Sequence, residues 1–492
     1  MNLIATTSDE RPSQIASSCI GGFPDDVKVW KGMPDPGKIF VSDKRASSGS
    51  LCLPLGLDCS SYVASVAFPR TQGFRPDAEL IARTYGQLVA LAVEAGCGRL
   101  TLVPPKAAEH VLPCLVEALV RQDMAGAGTL ELNLSAFPEN IRRQAERVAQ
   151  GKSLARQITE TTPDLPVFEL AELAAHRLET AGLKVEAVSA KAISEEYPLL
   201  SAVAAATSAN PDRRPSVLRI QLGSPCARRA LFCAGKGVVM DTGGLDLKPA
   251  GQFGMSRDKG GAGSLSGFLL AAAGAIPEDL FIRAELAFTW NGVGGNAITP
   301  DHCLTSASGL RVQVGNTDAE GRLLLSDVVA SLLSARRAAS AQSADFIALA
   351  TLTGHAGRAF GKRSVLVGDD TAQQRGLDRM LFDAASRMGE RSAVSPLCPE
   401  DWDVMRTARP GIDLVAATPA NSVATPRGHQ YPCAVIKKLS GWFSKPVPEA
   451  DCFLLADIAG ANTRSDVAGQ RAGAPMVGAL AAHYLFTEEA AA

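Results

Sequence analysis

Residues 316–327 read NTDAEGRLLLSD, two acids and an arginine at alternate positions followed at once by an apolar run. Read as an extended segment, Asp318, Glu320 and Arg322 share one face while Ala319 and Gly321 take the other. Alternating charge on a solvated strand accounts for that pattern as readily as a site does. Three features favour a site. Ala319 and Gly321 are small, as expected where backbone comes close to something. The following LLLSDVVASLL is apolar and of helical length, and acids in apolar surroundings need a compensating charge. A cation is the natural partner, which raises the question of what else in the chain converges on these acids.

The totals narrow the classes. With 492 residues, 46% apolar and 20% charged, the chain is long enough for two or three domains and too apolar for disorder. A net charge of −2 and a pI near 6.4 provide no basic field for nucleic acid or an anionic membrane. RRQAER at 142–147 and RRPSVLR at 213–219 are local basic clusters without the interleaved aromatics of a nucleic-acid surface. The opening MNLIATTSDERPSQ has neither a basic n-region with an apolar core nor the composition of a transit peptide, and FLLAAAGAI at 268–276 is too short to span a bilayer. A cytoplasmic protein without a membrane partner is expected. Eleven scattered cysteines with no CxxC read as reduced thiols, and six dispersed histidines with no HExxH lend little support to a histidine zinc site.

Strand and helix alternate along the chain. The first 30 to 50 residues, rich in Ser, Pro, Gly and Asp, read as partly irregular. Strands are expected at 61–68, 99–105 and 129–137, with helices at 77–96 and 107–122. NIRRQAERVAQGKSLARQIT, 140–159, has few apolar and many basic residues and reads as an exposed linking helix. After TTPDLP a larger pattern begins. It has a helix at 168–182, strands at 184–190, 216–222, 227–233 and 236–241, a helix at 263–275, strands at 282–290 and 344–354, and the helix that follows Arg322. Glycines cluster at 235–263 and 291–295, at the C-terminal ends of expected strands, where ligand sites of α/β sheets lie.

That first glycine cluster reads GKGVVMDTGGLDLKPAGQFGMSRDKGG, 235–261, and supplies Lys236, Asp241, Lys248 and Asp258. Singly, each has an ordinary alternative: a strand end, a turn acid, a surface lysine, a helix cap. Together with Asp318 and Glu320 they make four carboxylates, which cannot all stay ionised around one point without added positive charge. Two divalent ions would supply it, and oxygen-rich ligation without Cys or His suits magnesium, manganese or zinc.

NTDAEGRL together with GKG, DTGG, the following lysine and RD resembles the leucyl aminopeptidase (cytosol aminopeptidase) family of two-metal exopeptidases. The likeness runs from GKSLARQITETTP at 151 through GGNAITP at 294–300 and ATLTG at 350–354 to LADIAG at 455–460. It implies that Lys236, Asp241, Asp258 and Glu320 hold one metal and that Asp241, Asp318 and Glu320 hold a more exchangeable one. The ions would be zinc or manganese, with magnesium or cobalt as further options. Lys248 would stabilise the oxygen charged in the transition state, and Arg322 would hold a bicarbonate that relays a proton to the leaving amine. Met255, Thr351, Gly354, Ala459 and Asn462 would line the pocket for the first substrate side chain, an apolar one such as Leu or Met. The resemblance further implies short peptides with a free N-terminus as substrates and a homohexameric assembly. A non-enzymatic relative that binds nucleic acid or builds a structure is the alternative, and such a protein should have lost ligands that are all present here.

The expected fold class is α/β. A smaller N-terminal α/β domain at 1–140 is followed by a linking helix at 141–165 and by a larger α/β catalytic domain with a mixed central sheet at 166–492. Three positions depart from the family pattern. Asn462 stands where an apolar residue is usual, which loosens a strict leucine preference. The stretch between Lys248 and Asp258 is one residue short. Lys259, in DKGG, replaces an apolar residue and reads as solvent-facing, while His355 reads as a packed or rim histidine.

Overall fold

The structure, a computed structural model, describes residues 2–6, 50–54, 61–66, 78–94, 99–102, 104, 108–125, 130–249, 251–466 and 469–486. They form two compact units. One runs through Gln150 and includes Ser386–Glu390; the other comprises Gly151–Ala385 and Arg391–Thr487.

The first unit holds a five-stranded sheet in the order β2-β3-β1-β4-β5, from β1 (Asn2–Thr6), β2 (Ser50–Pro54), β3 (Ser61–Val66), β4 (Arg99–Leu102) and β5 (Glu131–Asn133). Helices α1 (Ala78–Glu94) and α2 (Val111–Ala125) pack on each other. Residues 2–6 were expected to be irregular and are instead the central strand, paired in parallel with both β3 and β4. NLIAT is a five-residue, mostly apolar run of the kind that fills a sheet centre, and its signal is diluted when composition is averaged over fifty residues. The rest of that stretch up to Gly49 lies outside the described residues.

The unit boundary falls within α3 (Glu139–Glu160), the helix expected to be exposed. Its second half is not exposed: Leu154, Ala155 and Ile158 are buried. Close backbone approach replaces large apolar side chains there. A Cβ on Gly151 would come within 2.3 Å of the Gly267 carbonyl oxygen, so the helix carrying Gly267 can lie directly against α3.

The second unit is built on an eight-stranded mixed sheet, ordered β14-β13-β16-β12-β8-β9-β7-β6. Its strands are β6 (Lys184–Ala187), β7 (Ser216–Leu222), β8 (Arg229–Asp241), β9 (Leu280–Asn291), β12 (Ser343–Ala350), β13 (Ser364–Gly368), β14 (Ser392–Val394) and β16 (Cys452–Asp457). A small sheet of β10 (Cys303–Thr305), β11 (Arg311–Gln313) and β15 (Leu414–Val415) stands apart from it. Strands β9, β8, β12 and β16 run parallel as neighbours, so their C-terminal ends come out along one edge. The two strands expected at 227–233 and 236–241 are one continuous strand, because the intervening Ala234 and Gly235 pair in register with β12.

Helices cover this sheet: α4 (Val167–Thr180), α5 (Ala190–Glu196), α6 (Pro198–Ala204), α7 (Gly260–Ala272), α8 (Glu320–Arg336), α9 (Gly354–Phe360), α10 (Tyr431–Leu439) and α11 (Val477–Tyr484). Nearly every side chain of α7 is buried, and a Cβ on Gly261 would come within 2.1 Å of the Leu349 carbonyl oxygen, so only glycine lets α7 sit on β12. On α8, Leu323, Leu324, Leu325, Val328, Val329 and Leu332 are all buried in the main core. A core leucine cut to alanine there would cost about 2–5 kcal/mol. No helix of the described residues is long and apolar enough to cross a membrane.

Candidate metal centre and substrate cleft

Residues 316–322 are not extended. A 3-10 turn at Thr317–Ala319 runs into α8, which begins at Glu320. Asn316 decides this locally: its backbone is extended at φ −160°, and its Oδ1 accepts from Asp318 N at 2.8 Å, an Asx turn that starts helical winding. The helix then carries Arg322 into the interior. Gly321 is small where close approach was expected: a Cβ there would meet Leu352 Cδ1 at 2.7 Å and the Lys236 Nζ at 3.0 Å.

Lys236 and Asp241 are five residues apart in β8, a spacing that places side chains on opposite faces of a regular strand. A register irregularity between Val238 and Met240 adds the missing residue, and Asp241 then pairs with Asn291 of β9. The alternation is restored and both charges reach one cluster.

Two lysine ammoniums sit among four carboxylates. Lys236 Nζ lies 2.8 Å from Asp258 Oδ2 and 2.8 Å from Glu320 Oε1, and donates to the Thr351 carbonyl at 2.9 Å. Lys248 Nζ lies 2.5 Å from Asp241 Oδ2 and also donates to Asp318 Oδ1. Thr351 Oγ1 donates to Asp258 Oδ1 at 2.7 Å. Asn291 Nδ2 donates to Asp241 Oδ1 at 2.8 Å and to the Thr317 carbonyl at 3.1 Å, which ties the end of β9 to the start of α8.

This cluster is short of positive charge. Burial pushes Glu320 up to about 8, with Asp241 adding to the rise and Lys236 opposing it. Burial also raises Asp258 to about 6 and lifts Asp318. For Lys236 and Lys248 burial works against the ammonium, but the surrounding acids outweigh it and hold both above the ordinary lysine value. One oxygen each from Asp241, Asp318 and Glu320 lies within 4.8 Å of the others, a set that could hold a metal ion. The donors are hard oxygens, too many for the two lysines to neutralise, so the residues fit divalent cations. For Lys236 to ligate such an ion, its proton must leave first.

A cleft of about 420 Å³ opens over the cluster. All the residues expected at the site line it except Glu320, which is buried behind it. Asp457, which the sequence did not single out, holds the cleft wall together. Its Oδ1 accepts from Leu352 N and Ala459 N, each at 3.1 Å, and its Oδ2 accepts from the Thr353 hydroxyl at 2.6 Å. The ATLTG turn and the IAG turn are thereby fixed to each other.

Arg322 is buried. Its Nη1 donates to the Ala416 carbonyl and the Tyr431 hydroxyl, each at 2.9 Å, and its guanidinium lies 4.9 Å from the Tyr431 ring centroid. Nε is buried with no partner among the described residues. A buried cation with a spare donor and no carboxylate partner fits a small anion such as bicarbonate.

Lys259 was expected in solvent and is fully buried. Its Nζ donates to the carbonyls of Thr161, at 2.8 Å, and of Ser256. With carbonyls in place of carboxylates, burial dominates and lowers its pKa to about 8. His355 is half-buried beside the cleft, with Nδ1 2.7 Å from His429 Nδ1, and His429 Nε2 is 2.8 Å from Ser395 Oγ. Neither Asn291, Tyr431 nor His429 was marked by the sequence. Of these, only Asn291 carries a signal, a polar residue closing an apolar strand before GVGG. Cys114, Cys226, Cys233, Cys303, Cys398, Cys433 and Cys452 are free thiols.

Residues 153–481 match the catalytic domain of the cytosol aminopeptidase family. A protein of Streptomyces coelicolor named "Probable cytosol aminopeptidase" is 33% identical over 292 residues, which cover 58% of this chain and 52% of that one. The Caenorhabditis elegans protein W07G4.4 is 30% identical over 324 residues, 65% of this chain and 62% of its own. The chain thus spans between half and two thirds of the length of these curated relatives. Among solved structures, the cytosol aminopeptidase from Coxiella burnetii superposes with a TM-score of 0.75 over 99% of this chain and 96% of its own, at 20% identity. The bottromycin maturation enzyme BotP in complex with Mn gives 0.73 over 97% and 98%, at 18% identity. At those identities the likeness is one of fold.

Proposed function

Because the chain belongs to the cytosol aminopeptidase family, we propose that it is a metal-dependent aminopeptidase that hydrolyses the first peptide bond of short peptides with a free N-terminus. The observation that carries this reading is the meeting of Asp241, Asp318 and Glu320 within 4.8 Å at the floor of an open cleft, with Lys248 beside them. In the proposed roles, Lys236, Asp241, Asp258 and Glu320 hold one divalent ion, and Asp241, Asp318 and Glu320 hold the other. Zinc or manganese suits the set best, with magnesium and cobalt as alternatives. When bound, such ions supply Lewis acidity to the scissile carbonyl and make water nucleophilic at neutral pH.

The chain's own residues supply the rest. Asn291 and the Gly243 N–H, 2.9 Å from Asp241 Oδ1, fix the Asp241 carboxylate so that its other oxygen is presented to the cluster. With divalent ions held by Asp241 and Asp318, Lys248 would be released from those two carboxylates and would serve as a fixed positive charge for the carbonyl oxygen as it gains negative charge. Water adds to the carbonyl carbon, the C–N bond breaks, and the departing amine takes up a proton. Arg322, with its unmatched Nε, would hold a bicarbonate, which would supply a proton relay to that amine. Thr351, Gly354, Ala459, Met255 and Asn462 surround the side chain of the first residue.

The same family membership supports a cytoplasmic homohexamer. The test is release of the first residue from a panel of amino-acid amides with added manganese. Wild type should be active and lose activity to chelator, whereas Asp318→Ala and Lys248→Ala should each lower kcat/KM by roughly 10²-fold or more. A wild type that is inactive with manganese, zinc, magnesium and cobalt alike overturns the reading.

A further inference from the structure

Asn462 Oδ1 is a buried polar atom of a cleft-lining residue with no partner among the described residues, and from it we infer that Asn462 selects substrates whose first side chain carries a short neutral hydrogen-bond donor, a hydroxyl or a primary amide, over their apolar isosteres. The inference rests on the aminopeptidase reading above and names its substrate class.

Asn462 lines the cleft and is only 2% exposed. Its backbone is locked on both sides: Asn462 N donates to the Ile458 carbonyl at 2.8 Å, and its own carbonyl accepts from Gly473 N at 2.7 Å. The side-chain amide is oriented by its nitrogen, which donates to the Arg257 carbonyl at 2.9 Å. That bond makes Oδ1 the free end of the amide, and Oδ1 is buried with no partner among the described residues. Gly260 packs flat against this group, since a Cβ there would fall 2.2 Å from Oδ1; the helix start leaves room for an amide and for nothing larger.

The residues expected around the first side chain offer Oδ1 no free side-chain donor. Met255, Gly354 and Ala459 line the same cleft without a polar side chain, and the Thr351 hydroxyl is committed to Asp258 at 2.7 Å. A buried acceptor without a donor is costly, so a ligand that donates to it recovers what an apolar ligand leaves lost. Discrimination of this kind is strong in one direction, because a site that hydrogen-bonds a substrate group rejects the analogue lacking it far more than it rejects a change of one methylene. Oδ1 only accepts, so ionised Asp and Glu side chains gain nothing from it. A charged ammonium would have to shed its water to reach it.

The experiment uses the full chain with manganese and three nearly isosteric pairs of amino-acid amides: Thr against Val, Asn against Leu, Gln against Met. For each pair the ratio of kcat/KM is measured in wild type, in Asn462→Leu and in Asn462→Ala, the last guarding against crowding at Gly260. At least one pair should favour the polar member by about tenfold, and both variants should lower that ratio about fivefold or more. A ratio favouring the apolar member in all three pairs, or one the variants leave unmoved, overturns the inference and leaves the aminopeptidase reading standing. Thermal stabilisation by the six free amino acids gives a readout without turnover. If no amide is hydrolysed but the polar amino acids stabilise wild type more than their isosteres and Asn462→Ala removes the difference, the aminopeptidase reading fails and the selectivity stands. No hydrolysis and no polar preference in stabilisation overturns both.

Discussion

Arg336 and Arg322 stand at opposite ends of α8, both buried, and are matched very differently. Arg336 forms a two-pronged pair with Asp451, Nε to Oδ2 at 2.7 Å and Nη2 to Oδ1 at 3.1 Å, and spends its remaining donors on the carbonyls of Ala339 and Ala341. Asp451 in turn accepts from Ala344 N at 2.8 Å. Charge and hydrogen bonds close within the protein. Among the described residues Arg322 has no carboxylate partner; it has a carbonyl, a phenol and an aromatic face, and its buried Nε is without a partner. A buried ion with every valence met belongs to the framework, while one with a vacancy beside a cleft is fitted to something that comes from outside.

That contrast can be broken by substitution. Arg336→Ala strands Asp451 in the interior and should cost about 3–5 kcal/mol of stability, read by urea denaturation, with kcat per folded molecule nearly unchanged. Arg322→Ala strands no carboxylate. It should lower kcat by roughly 10²-fold, about 2.7 kcal/mol, with a much smaller shift in the denaturation midpoint; equal stability losses in the two variants would erase the distinction. The carboxylate cluster should behave like Arg322. Divalent metal at about 100 times its dissociation constant should add about 2.7 kcal/mol to stability, and chelator should remove it, as a melting series with and without manganese would show.

Smaller effects sharpen the same line. Asn316→Ala removes the turn that starts α8 and should cost about 1 kcal/mol, with a loss of activity out of proportion to it because Asp318 moves with the turn. His429 supplies the framework's pH signature. Burial, then the neighbouring His355 and Arg427, lower its pKa from 6.5 to about 4. The unfolded chain therefore takes up this proton first, so stability is full above about 6.5 and declines as pH falls from there towards 4. Because the buried acids Glu320 and Asp258, held above their ordinary values, have the opposite pH dependence, the His429 contribution is read as a difference: the denaturation midpoint of wild type relative to His429→Gln should fall from pH 7.5 to 6 to 5.

How much of this the sequence carried depends on whether a signal was local. The charges of 235–261 and 316–322 were legible because polar residues beside glycine turns at strand ends are conspicuous, and the α/β class followed from strand-like and helix-like runs in alternation. The winding of 316–322 was not legible. Side-chain alternation suited a strand, and only the Asn316 cap, whose strength depends on the turn it completes, decides for a helix. The close contact of α3 with α7 and the burial of Lys259 depend on which backbones meet, a tertiary fact that the local pattern around basic residues does not disclose. Asn291 and Asp457 act by holding others, and a single polar residue in an apolar strand does not disclose what it will hold.

The irregularity in β8 sets the tolerance of the whole arrangement. A strand can often absorb a substitution anywhere along its length, but this one counts residues. Deleting Val239 would keep the composition of the run and its apolar character, yet it would invert the parity between Lys236 and everything after it. Asp241 would then face the far side of the sheet, so between Val238 and Met240 an exchange of one apolar residue for another is far better tolerated than a change of length.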